Sequence, residues 1–157
     1  MIKNPKLLLV CIAIPLLGGG LSAFLTMDGM ADFAAIEKPP LSPPGSLFPI
    51  VWTVLYVLMG VASYLVLTSG ARQDDIDQAI TVYAIQLALN FFWSIIFFRL
   101  EWYLAAVFWL VLLWIAILCT LLLFRKICKA AGWLLVPYLL WVTFAGYLNL
   151  SIYLLNR

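Results

Sequence analysis

The sequence predicts an all-α membrane protein, a bundle of five transmembrane helices with a proline-rich first loop as lid. Three observations predict it. Hydrophobic residues make up 66% of the 157-residue chain and charged residues 10%, whereas a soluble domain carries about a quarter charged residues. Five runs long enough to span a bilayer, about residues 7–27, 46–67, 80–98, 102–124 and 133–155, contain no Asp, Glu, Lys or Arg. Between Lys38 and Gly60, in KPPLSPPGSLFPIVWTVLYVLMG, a proline-dense loop runs directly into the second of these runs.

Lys3 and Lys6 precede the first span, which contains Pro15 and is therefore expected to kink. A basic start, a short apolar core and small residues near Ser22 and Ala23 also fit a cleaved signal peptide. Gly18 with Ser22, and Gly19 with Ala23, are spaced four apart and let another helix approach closely, within the bundle or across a dimer. Asp28 to Gly45 reads as the first loop. Pro39, Pro40, Pro43 and Pro44 remove backbone donors and push each preceding residue out of the helical region, so this lid is stiff and non-helical. Pro49 sits where a first helical turn tolerates it. Ser69 to Gln78 reads as a polar turn, Arg99 and Glu101 as a tight one, and Arg125, Lys126 and Lys129 close the fourth span. With the N-terminus inside, Lys3, Lys6, Arg72, Arg125, Lys126 and Lys129 lie on the cytoplasmic side, and Lys38, Arg99 and Arg157 outside. Six against three favours N-terminus in, C-terminus out.

Composition excludes several kinds of chemistry. The chain has no histidine, and so lacks the commonest metal ligand and near-neutral general base. Cys11, Cys119 and Cys128 lack metal-ligand spacing, so neither a metal nor a cofactor is expected. No charge lies within a span, which argues against a proton-coupled pump, and five spans do not divide into paired inverted halves. A net charge of +2 points to no nucleic acid partner.

Gln86, Asn90, Trp93 and Phe97 share one face of the third span, at spacings of four, three and four. The two amides need partners in lipid, either neighbouring helices or a ligand. Tyr138, Trp141, Ala145 and Asn149 make a similar stripe on the fifth span, and Trp52, Tyr56, Gly60 and Ser63 on the second. Three such stripes can enclose a flat, mostly apolar molecule. Trp102, Tyr103 and Trp133, at span ends, read most simply as interfacial anchors. The C-terminal LSIYLLNR fits a proposed cholesterol pattern, and equally an interfacial tyrosine beside a snorkelling arginine.

The lid and second span, together with LALNFFWSIIFF on the third and PYLLWVTFAGYLNLSIYLLN on the fifth, resemble the tryptophan-rich sensory proteins of the TspO family. Animal members are called translocator protein or peripheral benzodiazepine receptor. The resemblance covers essentially the whole chain. It implies a five-helix bundle, usually a homodimer, that binds porphyrins such as protoporphyrin IX and, in animals, cholesterol and benzodiazepine-type drugs. Carried over, it places Trp52, Asn90, Trp93 and Trp141 around a cavity, Ala145 at a small position that affects binding, and Trp102 as a further pocket tryptophan. Some bacterial relatives degrade protoporphyrin in light, with tryptophans matching Trp52 and Trp141 implicated. Relatives commonly carry tryptophan where this chain has Phe33, Leu41 and Ser46, so its lid offers less aromatic surface.

These readings converge on a porphyrin-binding sensor or carrier in a bacterial cytoplasmic membrane. Trp52, Tyr56, Asn90, Trp93, Trp102, Tyr138, Trp141, Ala145 and Asn149 are its ligand residues. The alternatives are light-dependent porphyrin degradation through Trp52 and Trp141, and a partner-binding membrane protein with an incidental cavity.

Overall fold

Asn4 starts the first helix. Its Oδ1 accepts from the Leu7 amide at 3.1 Å, and Pro5 follows where a helix does not use the amide that proline lacks. The computed structural model describes residues 2–157. Helix α1 (Pro5–Leu25) continues through Pro15 and leads into the short α2 (Met27–Phe33). The stretch read as loop from Asp28 is thus partly helical, with Asp28 in its first turn at the positive end of the helix dipole. The proline segment after it is non-helical up to α3 (Leu47–Leu67).

Helix α4 (Gln73–Ser94) begins earlier than the apolar run at 80. Asp74 and Asp75 in its first turn suit the dipole, and Gln73 Nε2 donates to Asp77 Oδ1 at 2.7 Å, so polar residues carry the helix beyond the apolar run. The helix thus extends beyond the apolar run that marked it in the sequence. The last turn, Ile95–Arg99, is π-helical. Helix α5 (Tyr103–Ile127) follows the turn at Glu101, whose φ is 55°. A short α6 (Lys129–Leu134) leads into α7 (Val136–Asn156), so the fifth span is broken near Leu135. Among the described residues, five helical stretches are long and apolar enough to cross a membrane: Pro5–Leu25, Leu47–Leu67, Gln73–Arg99, Tyr103–Ile127 and Lys129–Asn156. The protein is an integral membrane bundle.

Helix α1 packs on α3 and α4, α4 on α5, and α5 on α7. Small residues decide how close they come. A Cβ on Gly60 would sit 2.5 Å from Ile12 Cα and 2.7 Å from Cys11 O, so α1 and α3 touch backbone to backbone. Gly18 lies under the Phe91 ring and Gly19 under the Tyr56 ring, and Ser22 Oγ donates to Phe91 O at 3.1 Å. The small-residue stripe of α1 therefore serves packing inside the bundle. Outward-facing Leu9, Leu17, Phe24, Phe108 and Leu112 are exposed, as lipid contact requires.

Bonds at the two ends of the bundle set the lid at one of them. Asn4 N–H donates to Tyr64 Oη at 2.8 Å, near the C-terminal end of α3. At the opposite end Asn156 Nδ2 donates to Glu37 O at 2.9 Å, and Glu37 N–H returns a bond to Asn156 Oδ1 at 3.3 Å. Arg99 Nη1 also donates to Leu25 O at 3.1 Å, satisfying a carbonyl at the end of α1.

Candidate ligand cavity

Beneath the lid lies a cavity of about 730 Å³, within the ~300–1,000 Å³ range of small-molecule sites. Four helices contribute their lid-proximal ends. Helix α1 supplies Gly19, Ser22 and Ala23; α3 supplies Phe48, Pro49 and Trp52; α4 with its π turn supplies Trp93, Ser94, Phe97 and Phe98; α7 supplies Trp141, Ala145, Leu148, Asn149 and Ile152. The lid closes the set with Phe33, Lys38, Ser42, Pro43 and Pro44.

The aromatic wall is continuous. Phe33 packs on Phe48, Phe97 and Phe98 with ring centroids at 6.3, 5.7 and 5.4 Å. Phe48 packs edge-on to Trp141 at 5.8 Å, and Trp93 stacks on Phe97 at 5.2 Å. The lid thus keeps one aromatic contact at Phe33, while Leu41, 70% exposed, and Ser46 point away from the wall. The π turn explains why adjacent Phe97 and Phe98 both reach the cavity: one extra residue re-phases the helix there.

Depth sorts the predicted residues. Trp52, Trp93, Trp141, Ala145 and Asn149 line the cavity. Tyr56, Asn90 and Tyr138 lie outside its lining, in a buried chain that joins three helices. Tyr56 Oη donates to Asn90 Oδ1 at 2.9 Å, Asn90 Nδ2 to Tyr138 Oη at 2.7 Å, and Tyr138 Oη to Gln86 Oε1 at 2.7 Å. The Asn90 amide thus finds partners on α3 and α7 and the Gln86 oxygen one on α7, while Gln86 Nε2 is buried without a hydrogen-bond partner among the described residues. A second pair of bonds fixes the wall: Trp93 Nε1 donates to Asn149 Oδ1 at 3.1 Å, and Asn149 Nδ2 to Tyr103 O at 2.9 Å. Asn149 therefore faces the cavity with both ends of its amide engaged.

Trp102 is placed elsewhere. It is 60% exposed, caps the start of α5 and donates its amide to Ile96 O at 3.1 Å, outside the cavity lining. The π turn and the Glu101 turn carry it outward. The remaining tryptophans follow the same logic of place. Trp109 Nε1 donates to Leu89 O and Trp114 Nε1 to Thr143 Oγ1, both at 2.8 Å, tying α5 to α4 and α7, while Trp133 is exposed.

Sequence reasoning did not single out Phe48, Phe98, Lys38 or Ser42 as cavity residues. Phe48 has a signal in hindsight, one turn before Trp52 on the same face. Phe98 has none, since its position depends on the π turn. Trp141 has a second neighbour as well: it also lines an apolar groove between α3 and α7, with Val51, Val54, Leu55 and Leu140.

The chain as a whole has counterparts among known sequences. The family model of the TspO/MBR family matches residues 11–155. The chain is 42% identical over 147 residues to the tryptophan-rich protein TspO of Chlorobaculum tepidum, covering 94% of this chain and 91% of that one. It is 38% identical over 151 residues to the tryptophan-rich protein TspO of Archaeoglobus fulgidus, covering 96% and 97%. With the translocator protein of Bos taurus it shares 35% identity over 141 residues, covering 87% and 82%. A match of this extent, on a five-helix membrane bundle, means that the chain belongs to the TspO/MBR family.

Proposed function

We propose that this protein binds porphyrins such as protoporphyrin IX, or similar flat hydrophobic molecules, in the cavity beneath the lid, and acts as a sensor or carrier. The observation that carries the reading is the wall itself: three tryptophans, Trp52, Trp93 and Trp141, line one apolar cavity together with Phe33, Phe48, Phe97 and Phe98. Such a wall offers stacking surface to a flat ring, and rings are held by offset or edge contacts of this kind. In this reading Trp52, Trp93, Trp141, Ala145 and Asn149 touch the ligand, and Tyr56, Asn90 and Tyr138 hold the helices that form the wall. The protein works as a homodimer in a bacterial cytoplasmic membrane, N-terminus inside and C-terminus outside; the lysine and arginine distribution supports that orientation.

Light-dependent degradation of the bound porphyrin is the second reading, favoured by Trp52 and Trp141 both lining the cavity. One titration tests the first reading and, under light, the second. Protoporphyrin IX is added to the purified protein in the dark while tryptophan fluorescence is followed, and the absorbance spectrum is then recorded under illumination. Saturable quenching that weakens in Trp141→Ala is expected; its absence removes the porphyrin reading. A new absorbance spectrum that requires Trp52 moves the second reading ahead.

A further inference from the structure

The cavity wall carries one charged side chain, Lys38. It comes from the lid, with its ammonium 5.0 Å from the centroid of the Phe33 ring. Nζ donates to Ala34 O at 3.1 Å and to Ile36 O at 3.2 Å. An ammonium has three donors, so one is left. No carboxylate of the described residues lies within 4 Å of it: the one ion pair among them joins Arg72 and Asp74.

Ser42 supplies a second donor on the same lid. Its Oγ is buried and has no hydrogen-bond partner among the described residues, while the residue itself lines the cavity, so a change of χ1 rotamer would turn the hydroxyl toward a ligand there. The Ser42 amide donates to Pro39 O at 3.1 Å, closing a turn between the two proline pairs, so this residue sits on a stiff backbone. One free ammonium donor and one hydroxyl suit the two oxygens of a carboxylate. A phosphate offers more oxygens than this pair can satisfy, and the fork that arginine provides for it is missing from the lining.

We propose that the lid reads a carboxylate: Lys38 Nζ, with Ser42 Oγ, binds the carboxylate end of an amphiphilic ligand whose apolar body fills the cavity. The proposal rests on the cavity being a ligand site, and not on the ligand being a porphyrin. Carboxylates of a tetrapyrrole and of a fatty acid share the chemistry, and the experiment separates them.

Binding of protoporphyrin IX and its dimethyl ester, and of cis-parinaric acid and its methyl ester, is titrated by fluorescence against wild type, Lys38→Met, Lys38→Arg and Ser42→Ala. Comparing the acid-to-ester ratio between wild type and variant cancels the difference in bilayer partition. Lys38→Met is expected to weaken an acid roughly tenfold or more, as loss of a charge-assisted hydrogen bond does, and to leave its ester unchanged. Lys38→Arg keeps most of the preference, and Ser42→Ala loses a smaller part of it. If neither porphyrin form binds, the porphyrin reading falls, while a Lys38-dependent preference for parinaric acid over its ester still upholds the carboxylate site. Equal weakening of acid and ester, which would mean that Lys38 only braces the lid, overturns the proposal. So does an unchanged acid affinity in Lys38→Met, or failure of both acids to bind the wild type.

Discussion

Asn90 Nδ2 donates to Tyr138 Oη at 2.7 Å, and through this bond the C-terminal part of α4 is tied to α7 between two fully buried side chains. The same amide accepts from Tyr56 through its oxygen, and the same phenol donates to Gln86. Three helices that line the cavity at their lid ends are thereby joined below it. The site is an opening in a bundle held shut by side-chain bonds beneath it.

Asn90→Ala leaves the Tyr56 hydroxyl without its acceptor and Tyr138 without its donor. The bundle is expected to lose about 1–3 kcal/mol, the cost of stranding buried polar groups. Denaturation in mixed micelles, followed by circular dichroism, measures it. A double-mutant cycle with Tyr138→Phe should show a coupling of about 0.6 kcal/mol or more; strictly additive losses would mean that the bond does not couple the helices.

Glycines on the inner helices differ in what a methyl group would meet. At Gly60 it meets the backbone of Ile12 and Cys11, at 2.5 and 2.7 Å, while at Gly20 it meets nothing within 4 Å. Gly60→Ala is therefore expected to destabilise the bundle by about 1–3 kcal/mol, because α1 must shift away. Gly20→Ala should be neutral or stabilising by up to about 1 kcal/mol through helix propensity. Equal midpoints for the two variants would contradict the backbone contact of α1 and α3.

Asn156 and Glu37 form a two-bond latch between the end of α7 and the lid, with distances of 2.9 and 3.3 Å. Asn156→Ala removes both bonds, and hydrogen exchange at the Glu37 amide and along residues 34–42 is expected to quicken roughly two- to tenfold, as loss of one or two net hydrogen bonds implies. Asn156→Asp keeps the acceptor for the Glu37 amide and should fall between Ala and wild type. Unchanged exchange in the alanine variant would show that the prolines alone hold the lid.

The sequence alone determined that the chain crosses a membrane five times, because a helix satisfies its own backbone in lipid and a run of about twenty apolar, uncharged residues enters it without the cost of burying a charge, and both requirements are written in the runs themselves. It also put Gln86, Asn90, Trp93 and Phe97 on one face, since a spacing of three or four fixes direction around a helix axis. Spacing does not fix depth. Whether a residue on such a face lines the cavity or binds another helix depends on where the helices come into contact. Gly60 brings α1 and α3 together backbone to backbone, Tyr56 and Asn90 on the inward stripes close up below the cavity, and Trp52 and Trp93 stand beside open space at the lid end. Only the tertiary structure decided that division. The π turn that turns Phe98 inward while Trp102 emerges on the surface, and the position of Lys38 on the cavity wall, were decided there too. Each follows from how the chain passes between helices, which hydrophobic periodicity does not encode.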